Sequence, residues 1–256
     1  MKQSSPLKWA LGFSLLLLPT VSRADCSATT LDNILGSTCT IGDKTFTFSA
    51  TGTFISGINS NQIEFTPETS NPLSPGFELS LASGGPISVS ASGANQNIGI
   101  NVNVNYTVTV TDGSASLLGE TLALNGATIS PFSGLTDNNG ISDATNFLGT
   151  LSGAAVEVFI QCQVPVGPSG CSSATGPVNL STGGSFATPQ NSAMGQAGFE
   201  VLAQTGGAGG LVTASFTSAD YNFPEAPPVP EPSTLLLLGT GLSSLAFRYR
   251  RRSVGA

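Results

Sequence analysis

Histidine is absent from the 256 residues, and the one tryptophan, Trp9, stands close to the start. Without an imidazole, the usual general base, zinc ligand and Ser-His or Cys-His nucleophile pairs are missing, which excludes most hydrolytic mechanisms. Positive charge is nearly as scarce. Of the eight basic residues, Lys2, Lys8 and Arg23 lie in the first 24 positions and Arg248, Arg250, Arg251 and Arg252 lie at the other end, so Lys44 alone serves the body between them. All fifteen acids fall between Asp25 and Glu231. Nucleic acid is therefore excluded as a partner, because phosphate contacts need lysine and arginine. A hydrated, weakly associating acidic body is expected. With Tyr106 and Tyr221 as its only tyrosines, that body is poorly provided with a platform for stacking sugars, and an ordinary lectin is not expected. Long apolar runs are lacking too. Residues 233–247 form a run of about 15, which as a helix covers about 22 Å, short of the roughly 30 Å hydrocarbon core.

What the chain does have begins with a leader. Residues 1–24 carry Lys2 and Lys8, then apolar residues 9–18, then Pro19 and the small residues Ser22 and Ala24. This is the pattern of a secretory signal peptide, with cleavage expected between Ala24 and Asp25. The acidic Asp25 before Cys26 argues against lipid modification of that cysteine. Export makes disulfides the natural reading of the four cysteines, Cys26, Cys39, Cys162 and Cys171. Three connectivities are open; the two local pairings, Cys26 with Cys39 and Cys162 with Cys171, are favoured. No Cys-x-x-Cys spacing suggests zinc or redox chemistry.

The C-terminal stretch has three parts in fixed order: Val229-Pro230-Glu231-Pro232, the apolar run 233–247, and the arginines at 248, 250, 251 and 252. The two prolines hold the backbone extended, so one carboxylate is displayed on a stiff strand that an enzyme can bind at low entropic cost. Arginines beyond the apolar run place the preceding chain outside the cytoplasm, and their stems can snorkel to lengthen the membrane segment. These residues closely resemble the PEP-CTERM sorting signal of Gram-negative bacteria that produce exopolysaccharide. The resemblance implies recognition by an exosortase, a membrane-embedded cysteine transpeptidase that cuts near Pro-Glu-Pro. It implies nothing about what the body does.

The domain reading is a signal peptide at 1–24, a β-sandwich body at 25–222, a proline-rich linker at 223–228 and the sorting signal at 229–252. The strongest fold signal lies at 97–111, where Ile98, Ile100, Val102, Val104, Tyr106, Val108 and Val110 alternate with Gly, Asn and Thr. That period of two predicts a long half-buried strand. Shorter strands are predicted at 44–49, 62–66, 76–81, 86–91, 154–162, 199–204 and 211–218, with turn signals at 70–75, 83–86 and 137–140. A hairpin is expected at Gly42-Asp43, and a turn of helix at 31–35. The fold class is thus all-β, an antiparallel sandwich, with helix mainly in the N-terminal leader and the C-terminal transmembrane-like segment.

Two chemistries remain open in the body. Asp137, Asn139 and Asp143 place oxygen side chains around a glycine, loosely like the start of a calcium loop, though Asn139-Gly140 also reads as a plain turn. A carboxylate pair could hydrolyse glycans without histidine, and Asp112, Glu120, Asp137, Asp143, Glu157 and Glu200 are available. Nothing in their spacing singles out a pair, so no enzyme and no cofactor beyond calcium is expected. The functional expectation is an exported exosortase substrate. It would pass the general secretion translocon, be held briefly in the inner membrane, and reach the cell surface or extracellular matrix as a structural protein near exopolysaccharide. A calcium-assisted adhesion module and a carboxylate-only glycan hydrolase are the alternatives.

Overall fold

The computed structural model describes residues 25–111, 116–130, 139–164 and 177–226, together with Thr240 and Leu242; at 163 and 164 only the backbone is described. In chain order the elements are β1 (Thr29–Thr30), α1 (Leu31–Ile34), β2 (Thr38–Ile41), β3 (Lys44–Ser56), β4 (Ile63–Glu68), β5 (Gly76–Leu81), β6 (Ile87–Ser92), β7 (Asn97–Val110), β8 (Leu117–Ser130), β9 (Asn139–Gly149), β10 (Ala155–Val164), β11 (Val178–Gln190), β12 (Ser192–Gln204), β13 (Leu211–Phe216) and β14 (Ser218–Asn222). They form two antiparallel sheets. One has six strands in the order β10-β9-β12-β7-β3-β2; the other has eight, in the order β1-β4-β5-β14-β8-β13-β6, with β11 also paired to β8.

The alternation at 97–111 behaves as its period demands. Ile100, Val102, Val104, Tyr106, Val108 and Val110 of β7 are buried, while the Asn and Thr residues between them face outward. The β2–β3 hairpin turns at Gly42-Asp43, with Ile41 opposite Lys44 and Gly42 at a φ of 65° that favours glycine. The expected strand 211–218 is instead two strands. Thr217 breaks it by donating its N–H to the Asn125 carbonyl, opposite a bulge at Gly126 (φ 64°), where a Cβ would come within 2.3 Å of the Thr217 hydroxyl oxygen. β8 thereby pairs with β13 through 128–130 and with β14 through 121–125.

Between the sheets lies an aromatic cluster from both layers. Phe77 of β5 has ring centroids of Phe46, Phe48, Phe65, Tyr106, Tyr221 and Phe223 at 5.2–6.1 Å. Two tyrosine hydroxyls in this core are satisfied: Tyr106 donates to Asn146 Oδ1 at 2.8 Å, and Tyr221 donates to the Gly198 carbonyl at 2.7 Å. That keeps both buried polar tips from costing stability.

Both ends of the body are fastened. The Asp25 N–H donates to the Thr40 carbonyl at 2.9 Å, the Asp25 carboxylate accepts the Thr40 N–H, and the Cys26–Cys39 disulfide closes the loop. Cys162 is also disulfide-bonded, and Cys171 lies outside the described residues. At the other end, the segment expected as a linker from residue 223 is packed in its first part. Phe223 is fully buried, Glu225 donates its N–H to the Leu73 carbonyl, and Ala226 donates to that of Ser116. The reason is Lys44. Its side chain is fully buried at the start of β3, and Nζ donates to Glu225 Oε2 at 2.6 Å and to Asp43 Oδ1 at 2.9 Å.

Burial pushes the Glu225 carboxyl up to about 6, helped by the neighbouring Asp43 and opposed by Lys44. Replacing Lys44 by methionine should cost about 2–3 kcal/mol at pH 7 in urea denaturation, below the full price of an uncompensated charge because the stranded Glu225 can take up a proton. The double variant Lys44→Met/Glu225→Leu should recover most of that loss. A double variant no more stable than the single one would mean that the pair does not fasten the segment.

Candidate functional site

Residues directly paired across antiparallel strands share a face, so the register defines the outer surface of the six-stranded sheet. One row runs Phe159, Thr145, Gly198, Asn103, Phe54 across β10, β9, β12, β7 and β3. The next runs Glu157, Phe147, Gln196, Asn105, Ser49 over the same strands. Three phenylalanine rings stand out from this face, Phe54 at 55%, Phe159 at 49% and Phe147 at 42% exposure. Between them is a layer of amides. Gln196 Nε2 donates to Asn105 Oδ1 at 3.0 Å, Asn105 Nδ2 to the Thr51 carbonyl at 3.3 Å, and Asn103 Nδ2 to Asn101 Oδ1 at 3.0 Å. Gly198 leaves the room this layer needs, since a Cβ there would meet Asn103 Oδ1 at 2.3 Å.

A shallow groove of about 570 Å³ crosses the face between Ser49 and Phe147. A second of about 560 Å³ adjoins it at Thr107 and Met194 and runs to Leu151 and Gln190. The exposed aromatic rings of this face are phenylalanines, of which Phe147 lines the first groove. Tyr106 also belongs to the lining of the first groove although its side chain is buried, and Tyr221 is buried in the core.

The described candidate carboxylates do not gather at either groove. Asp112 and Asp137 lie outside the described residues. Glu157 stands exposed on β10. Glu120 points into the interior, fully buried, with neither oxygen hydrogen-bonded among the described residues. Burial, and secondly the charge of Glu157, pushes its carboxyl up to about 8. Asp143 and Glu200 sit directly opposite each other on β9 and β12. Burial raises Asp143 to about 7, with a further push from the Glu200 charge, against which the Glu200 N–H donates to Asp143 Oδ1 at 3.1 Å. None of the described acids lines either groove.

Of the loop expected at 137–143, residues 137 and 138 lie outside the described residues. Asn139 and Gly140 open β9, paired with Gln204 and Ala203, and Asp143 is a mid-strand residue between Gln161 and Glu200. Strand pairing fixes the backbone of Asn139 and Asp143 in extended form, so these two do not curl around a common centre as a calcium loop would. Instead, the oxygen atoms of Glu68, Glu78 and Asp220 lie within 4.8 Å of one another on the other sheet. Burial first, then the Asp220 charge, raises the carboxyls of Glu68 and Glu78. Asn125 Nδ2 relieves the crowding by donating to Asp220 Oδ2 at 2.7 Å. The set is all oxygen, the donor type that hard cations take.

Val229, Pro230, Glu231 and Pro232, the arginines at 248 and 250–252, and Ala24 at the leader boundary all lie outside the described residues. In the apolar run, Thr240 and Leu242 are helical. Among the described residues no helix is long and apolar enough to cross a membrane, so the expected transmembrane-like helix has no support there. The tail is decided by its sequence: the family model for the PEP-CTERM protein-sorting motif matches residues 228–252. The chain is a PEP-CTERM sorting-domain protein. That motif marks an exported protein that an exosortase processes and that is sorted to the cell envelope or surface.

None of the curated proteins matches the PEP-CTERM chain. Among solved structures, a loop-swap mutant of Xyn11A from Necallimastix patriciarum is similar at 9% identity, over 76% of this chain and 99% of that one, with a TM-score of 0.23. A likeness that slight carries neither fold nor activity across.

Proposed function

We propose that the chain is the precursor of a non-catalytic structural protein of an extracellular matrix layer, needing no cofactor. It is exported through the general secretion translocon and held in the inner membrane by its C-terminal segment. An exosortase then cuts it near Pro230-Glu231-Pro232. The observation that carries this reading is the distance between fold and signal. Phe223, Glu225 and Ala226, just before the motif, are packed on the body, and the matched motif starts at residue 228. Cleavage near Val229 therefore leaves these three residues and their contacts on the body, and the Lys44–Glu225 pair holds the new end in place. The absence of histidine and the placing of every described candidate acid outside the grooves support a non-catalytic body.

The test is the intact mass of protein from culture supernatant and from membranes. Secreted material that starts at Asp25 and ends between Val229 and Pro232 is expected, and Glu231→Ala should leave uncut precursor in the membrane. Wild-type protein found only in membranes with Arg252 still attached would overturn the proposal.

A further inference from the structure

We propose that the outer face of the six-stranded sheet binds a neutral polysaccharide chain lengthwise across its strands. This deepens the matrix reading and rests on it only in placing that face outside the cell. A sugar ring offers two kinds of surface, an apolar C–H face and a rim of hydroxyls that both donate and accept. The sheet offers the complement of each. Phe147 and Phe159 are diagonal neighbours on β9 and β10, and Phe54 stands on the far border. All three present ring area to solvent that C–H faces can cover. Between them Asn101, Asn103, Asn105 and Gln196 carry amides, each with donors and an acceptor, which suits hydroxyls better than any one-signed group does.

Charge decides which polysaccharide. The groove linings hold no lysine, arginine, aspartate or glutamate. The body's one lysine is buried against Glu225 and Asp43. Uronate, sulfate or phosphate groups would find no cation, and would meet Glu157 and Glu200 on the same face. A neutral chain meets neither penalty.

Length and shape decide that it is a chain. Phe159 and Phe54 lie four strand spacings apart, about 19 Å. The two grooves join at Thr107 and Met194 and are open, so a polymer can lie across them without threading an end.

The experiment is affinity electrophoresis of the purified full-length protein in native gels cast with dextran, with hydroxyethylcellulose, with alginate, or with no polymer. Retardation by at least one neutral polymer and none by alginate is expected. In Phe147→Ala/Phe159→Ala the apparent Kd should rise about tenfold or more. Both rings are half exposed, so its melting temperature should stay near that of the wild type. Leu211→Ala, exposed on β13 of the other sheet, should bind as the wild type does.

The inference falls if neither neutral polymer retards the wild type, if the double variant is retarded equally, or if alginate retards as strongly. It also falls if the wild type is a dimer by gel filtration that the double variant dissolves, for then a second copy occupies the face. None of these results touches the sorting proposal, which the intact masses decide independently.

Discussion

Phe77→Ala is expected to destabilise the body by about 3–5 kcal/mol, close to the most a single cavity costs. The reason is where the neighbours come from. Phe46, Phe48 and Tyr106 belong to the six-stranded sheet, while Phe65, Tyr221 and Phe223 belong to or directly follow strands of the eight-stranded one. Collapse into the space left by Phe77 would require one sheet to slide on the other, and that is opposed by Tyr221 donating to the Gly198 carbonyl from across the core. The cavity therefore stays open, and its lining loses dispersion contacts outright. Phe54→Ala removes the same side chain from a site 55% exposed and should change stability by less than about 0.5 kcal/mol. Urea denaturation of the two variants is the check. Near-equal losses would mean that the cluster is not the packing centre.

The contrast between Phe77 and Phe54 shows how far periodicity carries and where it stops. In β7, side-chain period and burial coincide from Ile100 to Val110, because the strand has the core on one side and solvent on the other along that length. In β3 the same rule puts Phe46 and Phe48 inside, and simple counting would put Phe54 there too. The register shift between Ser49 and Phe54 turns it outward, and Gly52 at a φ of 78° is the one sequence sign of that shift. Phe159 needed no such sign. It shares its strand parity with Glu157 and Gln161 rather than with Val156, Val158 and Ile160, so its exposure was legible in β10 from the start.

Other strands could not be read because their pattern is broken for cause. β9 turns Ser142 and Asn146 inward, and both find partners that no local sequence announces: the Ser215 carbonyl at 3.1 Å and the Tyr106 hydroxyl. β11 buries only Phe186, so it shows almost no apolar face. β8 carries leucine, alanine and glutamate, which suit a helix as well as a strand, and its bulge at Gly126 interrupts the alternation. The packed segment at 223–226 was hidden behind its prolines. A lone lysine in a chain of acids is still a signal that some carboxylate must come to it, and Glu225 is the one that does.

The second large effect is a pH dependence set by Glu120. Its side chain lies on the inner face of β8 beside Leu122 and Leu124, fully buried, where ionisation is opposed by burial and by Glu157, so that its folded value is about 8 against an ordinary 4.5. From pH 4.5 up to about 8 the folded protein therefore keeps a proton that the unfolded chain has released. Stability is greatest below that window and falls by about 1.4 kcal/mol for each pH unit within it. Asp143 adds a similar decline from an ordinary 3.8 to about 7.

Glu120→Gln removes one contribution and leaves the other. Its stability should match the wild type at pH 4.5 within about 0.5 kcal/mol and exceed it at pH 9 by on the order of 4 kcal/mol. Glu120→Met goes further, since it also removes polar atoms that have no partner among the described residues, and should gain at acid pH as well. Chemical denaturation of the three proteins from pH 4 to 9 reads this directly. Parallel curves for wild type and Glu120→Gln would mean that the carboxyl is hydrated or paired in solution, and the interior would then have to be open at that point.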